Sequence, residues 1–539
     1  MYVQREQSPR VNRTISVGGF RSLFRSLGIV VVLGFLGTGS VSAQSDPFVT
    51  RAGETLMVDG RSYYPIGANA YYLMEAAANG DTATVNDLFS TAQSLGFNVV
   101  RTWGFHDSAD SLDPSVIQYR PGTFNERALS ALDYVVLQAK RHGFRLLLPL
   151  VNSWDDYGGM NQYVRWRVVY ASLHSYAGTP EAVQIGTSRI VTGAKGQSYR
   201  VQITSQLGHD DFFRDSTIME WFRNYMLMIT GRVNKFTGIA YRDEPAILGW
   251  ELANEPRSSD RTGELVYRWV GEMSRFLKSV DTCHLVGSGE EGFEVTEDGY
   301  AASSYDGQSW LFDGSAGVSF SLNTSVAFLD IATAHLYPEA WNLTGGEGNS
   351  WIRDHIERAA LLGKPLLLGE FGARANRSST YKSWLSTALL DGAVGALVWQ
   401  LLEGSAHDTD GFGVRCTAEP DVCATLRAYA DLYALKGEVG GLLLPVAFAL
   451  YQNYPNPFNT QTVISYDLPQ ESYVRLTVYN TLGQRVRTIV NAIQQGGSRK
   501  ELLDAYDLAS GVYFYHLVIA PVGGDDEGWS QTRKLVLIK

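Results

Sequence analysis

At 539 residues, with 45% apolar side chains and 12% aromatics, the chain is long enough for one large domain plus a smaller module. A net charge of −11 and the lack of any basic stripe argue against nucleic acid as a partner, and the acidic balance by itself reports solubility. Three cysteines are too few for a disulfide framework.

The N-terminus reads as a signal peptide over residues 1–43. Arg5, Arg10, Arg13, Arg21 and Arg25 precede an apolar stretch from Leu27 to Leu36, and Ala43 follows Val41-Ser42 where a signal peptidase would cut. The stretch is short and interrupted by glycine, so no transmembrane segment is expected in the mature protein; an uncleaved anchor is the competing reading.

From Pro47 to Lys436 short apolar runs alternate with amphipathic stretches. Strands are predicted at Ile66–Ala70, Asn98–Trp103, Arg145–Val151, Ile247–Ala253, His284–Gly289, Ile331–Tyr337, Pro365–Phe371 and Ala393–Leu401. Helices are predicted at Thr82–Leu95, Glu126–His142, Met219–Phe236, Thr262–Val280, Trp351–Leu362 and Tyr381–Asp391. Eight strands with helices between them point to the α/β class and a (β/α)8 TIM barrel over 47–436. The first strand lacks the glycine-rich phosphate turn expected of an open doubly wound sheet.

Two connections are long. Within Ser172–Asp211, partial alternation at Glu181–Ile190 and Ser198–Thr204 flanks Gly193-Ala194-Lys195-Gly196 and predicts an inserted hairpin. Glu290–Asp330 is rich in Gly, Ser, Asp and aromatics, and both connections should emerge on the C-terminal face, where loops shape a cleft. Cys416 and Cys423 are close enough to bridge a small loop, while Cys283 is expected buried at the start of a strand.

Beyond Gly437 the character changes. Gly440-Gly441 and Pro445 mark a linker over 437–450. The segments Thr462–Asp467, Tyr473–Asn480, Arg485–Val490, Gly511–Ile519 and Arg533–Ile538 read as the short strands of a small immunoglobulin-like β-sandwich over 451–539, with no cluster of acid, base or nucleophile.

The chemistry concentrates at strand tips. Glu255 closes Ile247–Pro256 and Glu370 closes Pro365–Gly372; a carboxylate there is costly to bury and adds nothing to packing. Two such tips at one barrel mouth supply the paired carboxyls that cleave a glycosidic bond, about 5–5.5 Å apart in a retaining enzyme. The alternative is a pair of ion-paired structural glutamates. The acid, Glu255, should be held protonated by the neighbouring carboxylate, and the nucleophile, Glu370, ionised. Arg101 can hold Glu370 ionised, Asn254 can bond a sugar hydroxyl, and His335 and Tyr337 share one face of their strand. Trp399 can floor the reacting ring, and Trp103 and Trp154 suit sugar stacking, with core packing as the plainer role for any one indole. Glu251 reads as a buried polar partner deeper in the barrel. His407-Asp408-Thr409-Asp410-Gly411 is a weak calcium signal, and no metal-ligand spacing is evident.

These residues closely resemble glycoside hydrolase family 5, and within it the endo-β-1,4-mannanase subfamily. Gly67-Ala68-Asn69-Ala70-Tyr71-Tyr72-Leu73-Met74, Val100-Arg101-Thr102-Trp103-Gly104-Phe105, Leu150 to Gly159, Trp250 to Arg257 and His335-Leu336-Tyr337-Pro338 carry the likeness. The resemblance implies Glu255 as acid/base and Glu370 as nucleophile. It implies substrate binding by Arg101, Trp103, Asn152, Trp154, Asn254, His335, Tyr337 and Trp399, with no metal or organic cofactor. The Glu181–Thr204 insertion departs from the family pattern and leaves the outer subsites open. The C-terminal module is similar to a type IX secretion sorting domain, through Asn453 to Asn459, Val478 to Gly483, Gly511-Val512-Tyr513 and the terminal Lys534 to Lys539.

The expectation is a secreted or outer-membrane surface-attached monomer that hydrolyses β-mannan by double displacement and is exported by the type IX machinery. A β-glucanase, or a non-catalytic polysaccharide-binding surface protein, is the alternative.

Overall fold

The computed structural model describes residues 47–176, 185–192, 198–204, 207–295, 305, 308–438, 445, 447–453, 456–522 and 528–539. The leader at 1–43, the tip of the inserted hairpin and most of the linker lie outside them.

Among the described residues, eight parallel strands form the barrel sheet: β1 (Ile66–Asn69), β2 (Val99–Arg101), β3 (Arg145–Pro149), β4 (Ile247–Glu251), β5 (Leu285–Gly287), β6 (Ala332–Leu336), β7 (Leu366–Phe371) and β8 (Gly395–Val398). Their order is β5-β4-β3-β2-β1-β8-β7-β6, and backbone bonds from Asp330 and Ile331 to the Val286 carbonyl bring the two ends together. The strands are apolar throughout because they are covered on both faces: β4 and β7 are buried at every position. A three-stranded sheet over Thr50–Tyr63 precedes the barrel, and its Leu56 joins Val49 in one apolar cluster with Val99, Leu147, Leu285 and Leu367.

Helices follow the strands: α1 (Thr82–Ser94), α2 (Glu126–His142), α3 (Ser216–Gly231), α4 (Glu264–Val280), the short α5 (Phe320–Thr324), α6 (Gly345–Leu361), α7 (Arg377–Asp391) and α8 (Pro420–Glu438). Several starts are fixed by capping side chains. Asp81 accepts from Thr84 N, Asn125 from Arg127 N and Asp215 from Thr217 N and Ile218 N, while Thr344 and Glu347 form a capping box. That box starts α6 ahead of the predicted Trp351, because three glycines in its first turn hide the helical signal. Two further helices, Leu73–Ala78 and Gly159–Tyr176, lie in connections on the cleft side of β1 and β3.

The inserted hairpin is present as antiparallel strands Ile185–Thr192 and Ser198–Thr204. Cys416 and Cys423 are bonded. Cys283, expected buried, is exposed. The carboxylate of Asp281 accepts from the backbone N–H of Cys283 and His284 and from His284 Nδ1, so the turn draws Asp281 and His284 inward and points the thiol out.

The C-terminal module is a sandwich of β9 (Ala449–Leu450), β10 (Gln461–Leu468) and β13 (Gly497–Asp504) against β11 (Ser472–Asn480), β12 (Arg485–Gln494), β14 (Gly511–Pro521) and β15 (Trp529–Leu537). Its core holds Ile464, Tyr466, Val474, Leu476, Tyr515, Leu517 and Leu535. Among the described residues no helix is long and apolar enough to cross a membrane.

Candidate active site

Arg101, at the tip of β2 and fully buried, organises the barrel mouth. Its Nε donates to Glu251 at 2.6 Å, one terminal nitrogen to Glu370 Oε1 at 2.5 Å and to Asn69 Oδ1 at 3.0 Å, and the other to Asn254 Oδ1 at 2.8 Å. One guanidinium therefore ties β1, β2, β4, β7 and the loop after β4 together. A buried cation with this many acceptors is stable only as a complete network, because loss of one partner leaves an uncompensated charge.

Glu370 ends β7 and is buried; its second oxygen accepts from the Tyr337 hydroxyl. Glu255 arrives by a different route. β4 stops at Glu251, and the next four residues are loop, with Glu255 at φ +49°, a left-handed conformation that non-glycine residues rarely adopt. The backbone is held there by Glu255 N donating to the Gly289 carbonyl at 2.7 Å. The Glu255 carboxylate accepts from His335 Nδ1 at 2.7 Å and from Trp154 Nε1 at 2.6 Å. One oxygen of Glu255, one of Glu370 and a ring nitrogen of His335 all lie within 4.8 Å of one another. So close an approach suits a nucleophile and an acid acting on one sugar, as in a retaining enzyme, whose carboxyls stand about 5–5.5 Å apart.

A cleft of about 530 Å³ opens above the pair, with Tyr71, Trp103, Asn152, Trp154, Arg257, Glu291, Trp310, Trp341, Trp399 and Asp410 among its walls. Every residue predicted for the site is at this mouth, in differing degrees of contact. Trp154 is 42% exposed and offers an open indole; Trp103 is 3% exposed and stacked between Tyr71 and Phe105, at the wall of the cleft. Asn152 is a structural link, accepting from Asn254 Nδ2 at 3.1 Å and donating to the Asp156 carbonyl at 3.1 Å. Trp399 stacks on Tyr71 with ring centroids 5.5 Å apart at 16°.

Residues 46–413 match the family model "GH family 5 beta-mannosidase-like". The chain belongs to glycoside hydrolase family 5. Mannan endo-1,4-beta-mannosidase 2 of Oryza sativa subsp. japonica is 35% identical over 414 residues, which is 72% of this chain and 85% of the relative. Among solved structures, the endo-beta-1,4-mannanase of Thermotoga petrophila aligns over 89% of this chain and 99% of its own, at 27% identity and a TM-score of 0.58. The endo-1,4-beta-mannanase of Rhizomucor miehei covers 72% and 100%, at 29% identity and a TM-score of 0.59. Residues 452–536 match the family model "Secretion system C-terminal sorting domain". The family 5 barrel is thus joined to a type IX sorting domain, and the protein is secreted to the cell surface or beyond.

The charge balance in the family 5 site differs from the sequence expectation. Burial pushes Glu255 up, but the bond and charge of His335, the Trp154 bond and Arg257 outweigh it and hold the carboxyl below its ordinary range. Burial pushes Glu370 up and prevails over His335, Arg101 and the Tyr337 bond, with the charge of Glu255 adding to the rise. His335 is raised: its burial is overcome by Glu370 and Glu255. The two carboxylates thus favour the charged form of His335, whose Nδ1 lies 2.7 Å from Glu255.

Sequence reasoning missed part of the wall. Arg257 makes a two-point ion pair with Glu291, at 2.6 Å for each bond, and lies over the rings of Trp154 at 5.0 Å and Phe293 at 4.7 Å. Asn69 supports Arg101, and Asp410 Oδ2 accepts from Trp399 Nε1 at 2.7 Å. Asn69 and Arg257 carried a readable signal, since each is polar and lies next to a buried tip. Asp410 sits in the segment read as a weak calcium motif.

Proposed function

We propose that Glu370 and Glu255 carry out double displacement on β-1,4-mannan, the protein being a secreted retaining endo-β-1,4-mannanase. The observation that carries this reading is the close approach of the two carboxyls, within 4.8 Å, at the mouth of a family 5 barrel. Glu370 attacks the anomeric carbon while the glycosidic C–O bond breaks and Glu255 gives its proton to the departing oxygen. The product is a mannosyl ester on Glu370. Glu255, now a base, deprotonates the water that cleaves this ester and restores both groups.

The proton reaches Glu255 by shifting from His335 Nδ1, a move that leaves the net charge of the site unchanged. Tyr337, whose pKa burial and Glu370 drive far above the ordinary range, stays a neutral donor to the nucleophile. Because Trp154 bonds the acid, it and Arg257 flank the leaving-group side, and Tyr71 and Trp399 the side of the sugar that becomes covalently bound. The active unit in this reading is a monomer. The matched ranges 46–413 and 452–536 support a catalytic barrel over 47–436 and a sorting domain over 451–539. The leader 1–43 rests on the sequence pattern alone, and of the proposed linker 437–450 the last two residues, Ala449–Leu450, form strand β9 of the sandwich.

Reducing-sugar release by the full chain from linear mannan and from carboxymethyl cellulose, side by side, tests the substrate. Strong release from mannan with little from cellulose is expected. The reverse would keep the pair and move the substrate to β-glucans.

A further inference from the structure

The segment Asp408–Gly413 follows β8 and has no part in the displacement chemistry, yet three of its residues, Thr409, Asp410 and Phe412, line the cleft. Asp410 uses both carboxylate oxygens. Oδ2 accepts from Trp399 Nε1 at 2.7 Å, and Oδ1 accepts from the backbone N–H of Phe412 at 2.9 Å. Asp408 accepts from Gly411 N at 2.9 Å, and Arg374 donates to the Asp410 carbonyl at 3.1 Å while its guanidinium lies 4.3 Å over the Phe412 ring. The turn is thus tied on both sides.

Stacking on Tyr71 fixes only the plane of the Trp399 indole; a stacked ring can still slide or turn within that plane. A hydrogen bond at the ring edge removes that freedom, and Asp410 supplies it. Phe412 meets Tyr337 with ring centroids 5.0 Å apart, and Tyr337 donates to Glu370. Room for this contact is kept by Gly372, where an added Cβ would lie 3.0 Å from both rings.

We propose that Asp410 is a positioning residue: its carboxylate, itself held by the Phe412 N–H, locks the Trp399 indole as the floor under the reacting sugar. This rests on the reading of the cleft given above. A carboxylate is required, since it accepts from two donors at once. An Asn at 410 has one acceptor oxygen, so its amide N–H₂ would face either the indole N–H or the Phe412 N–H, donor against donor.

The test is a double-mutant cycle in the full chain on manno-oligosaccharides, with Asp410→Ala, Asp410→Asn, Trp399→Phe and both double variants. Wild type and Glu370→Ala are run alongside. Asp410→Ala and Asp410→Asn should each lower kcat/KM on the order of 10- to 100-fold, because small misplacements of the bound sugar cost that much. Most of the loss should fall in kcat. Once Trp399 is Phe, removing Asp410 should cost less than about 3-fold, since the ring edge it held is gone. Losses that multiply in the double variants, or Asp410 variants within about 2-fold of wild type, would overturn the proposal. If the alanine variant fails to fold, the asparagine pair decides. A wild type inactive on mannan, or an active Glu370→Ala, would instead overturn the reading of the cleft.

Discussion

At the scale of single residues, the site is a proton held between three buried groups. Glu255, Glu370 and His335 sit within 4.8 Å of one another beside Arg101, so the state of one sets the others. His335 is raised above its ordinary value, which fixes the sign of the pH dependence. Its imidazolium is fully present below the usual histidine range and is lost as pH rises through the raised value. Activity should fall as pH rises through that raised value, when the proton shared with Glu255 leaves. His335→Asn makes Glu255 keep its own proton, so the alkaline limb of the kcat profile should move toward acid. A kcat fall of roughly 10- to 100-fold should accompany the shift. A limb left in place would show that the proton is not held on His335. Both catalytic candidates were legible from sequence because a charged residue ending an apolar strand is conspicuous. Their relative protonation was not, because it depends on His335 and Trp154, which arrive from strand tips far away in the chain.

At the scale of elements, the barrel was readable because period and composition agree. Each of the eight predicted strands overlaps an observed one, and the differences lie at the ends, where loop residues of apolar type extend the run. The three-stranded sheet over Thr50–Tyr63, the helices Leu73–Ala78 and Gly159–Tyr176, α5, α8 and strands β9 and β13 are among the elements not foreseen. Gly159, the second of the pair Gly158-Gly159, opens its helix, and β13 begins Gly-Ser-Arg-Lys-Glu, a polar run that only its pairing with β10 makes a strand. The left-handed Glu255 was equally unreadable, since it is imposed by the tip of the neighbouring β5. Gly289 there has φ +76°, and an added Cβ would overlap the Ala253 carbonyl oxygen. Gly289→Ala should therefore lower stability by about 1–3 kcal/mol and, by displacing Asn254 and Glu255, cut kcat more than 10-fold. Thermal unfolding and initial rates check this; an active, fully stable Gly289→Ala would mean the tip of β5 does not set the position of Glu255.

At the scale of the whole molecule, the chain divides by task. No described residue of 451–539 lines the cleft, and the sandwich packs its own core. The sorting module touches the barrel on the α6–α7 side, where Arg353 lies 5.6 Å from the Tyr451 ring and Ser498 donates to the Leu390 carbonyl at 3.4 Å. Neither helix carries a residue of the proposed catalytic pair. A protein ending at Lys436 should then hydrolyse mannan with kcat within about 2-fold of the full chain, because distant and unconnected parts contribute independently. A large fall would make the sandwich part of the catalytic unit. This division was visible in the change of pattern after Gly437, whereas the seam between the modules depends on contacts that no local sequence pattern encodes.

The central claim is that Glu370 forms the covalent bond to the sugar and Glu255 serves as acid and base. Its most direct test is to incubate the protein with a 2-deoxy-2-fluoro-mannosyl fluoride, which slows ester hydrolysis, and to map the label by peptide mass spectrometry. A stoichiometric mannosyl adduct on the peptide containing Glu370, absent from Glu370→Ala, is the predicted result. A label on Glu255 or elsewhere, or labelling that persists in Glu370→Ala, would contradict it.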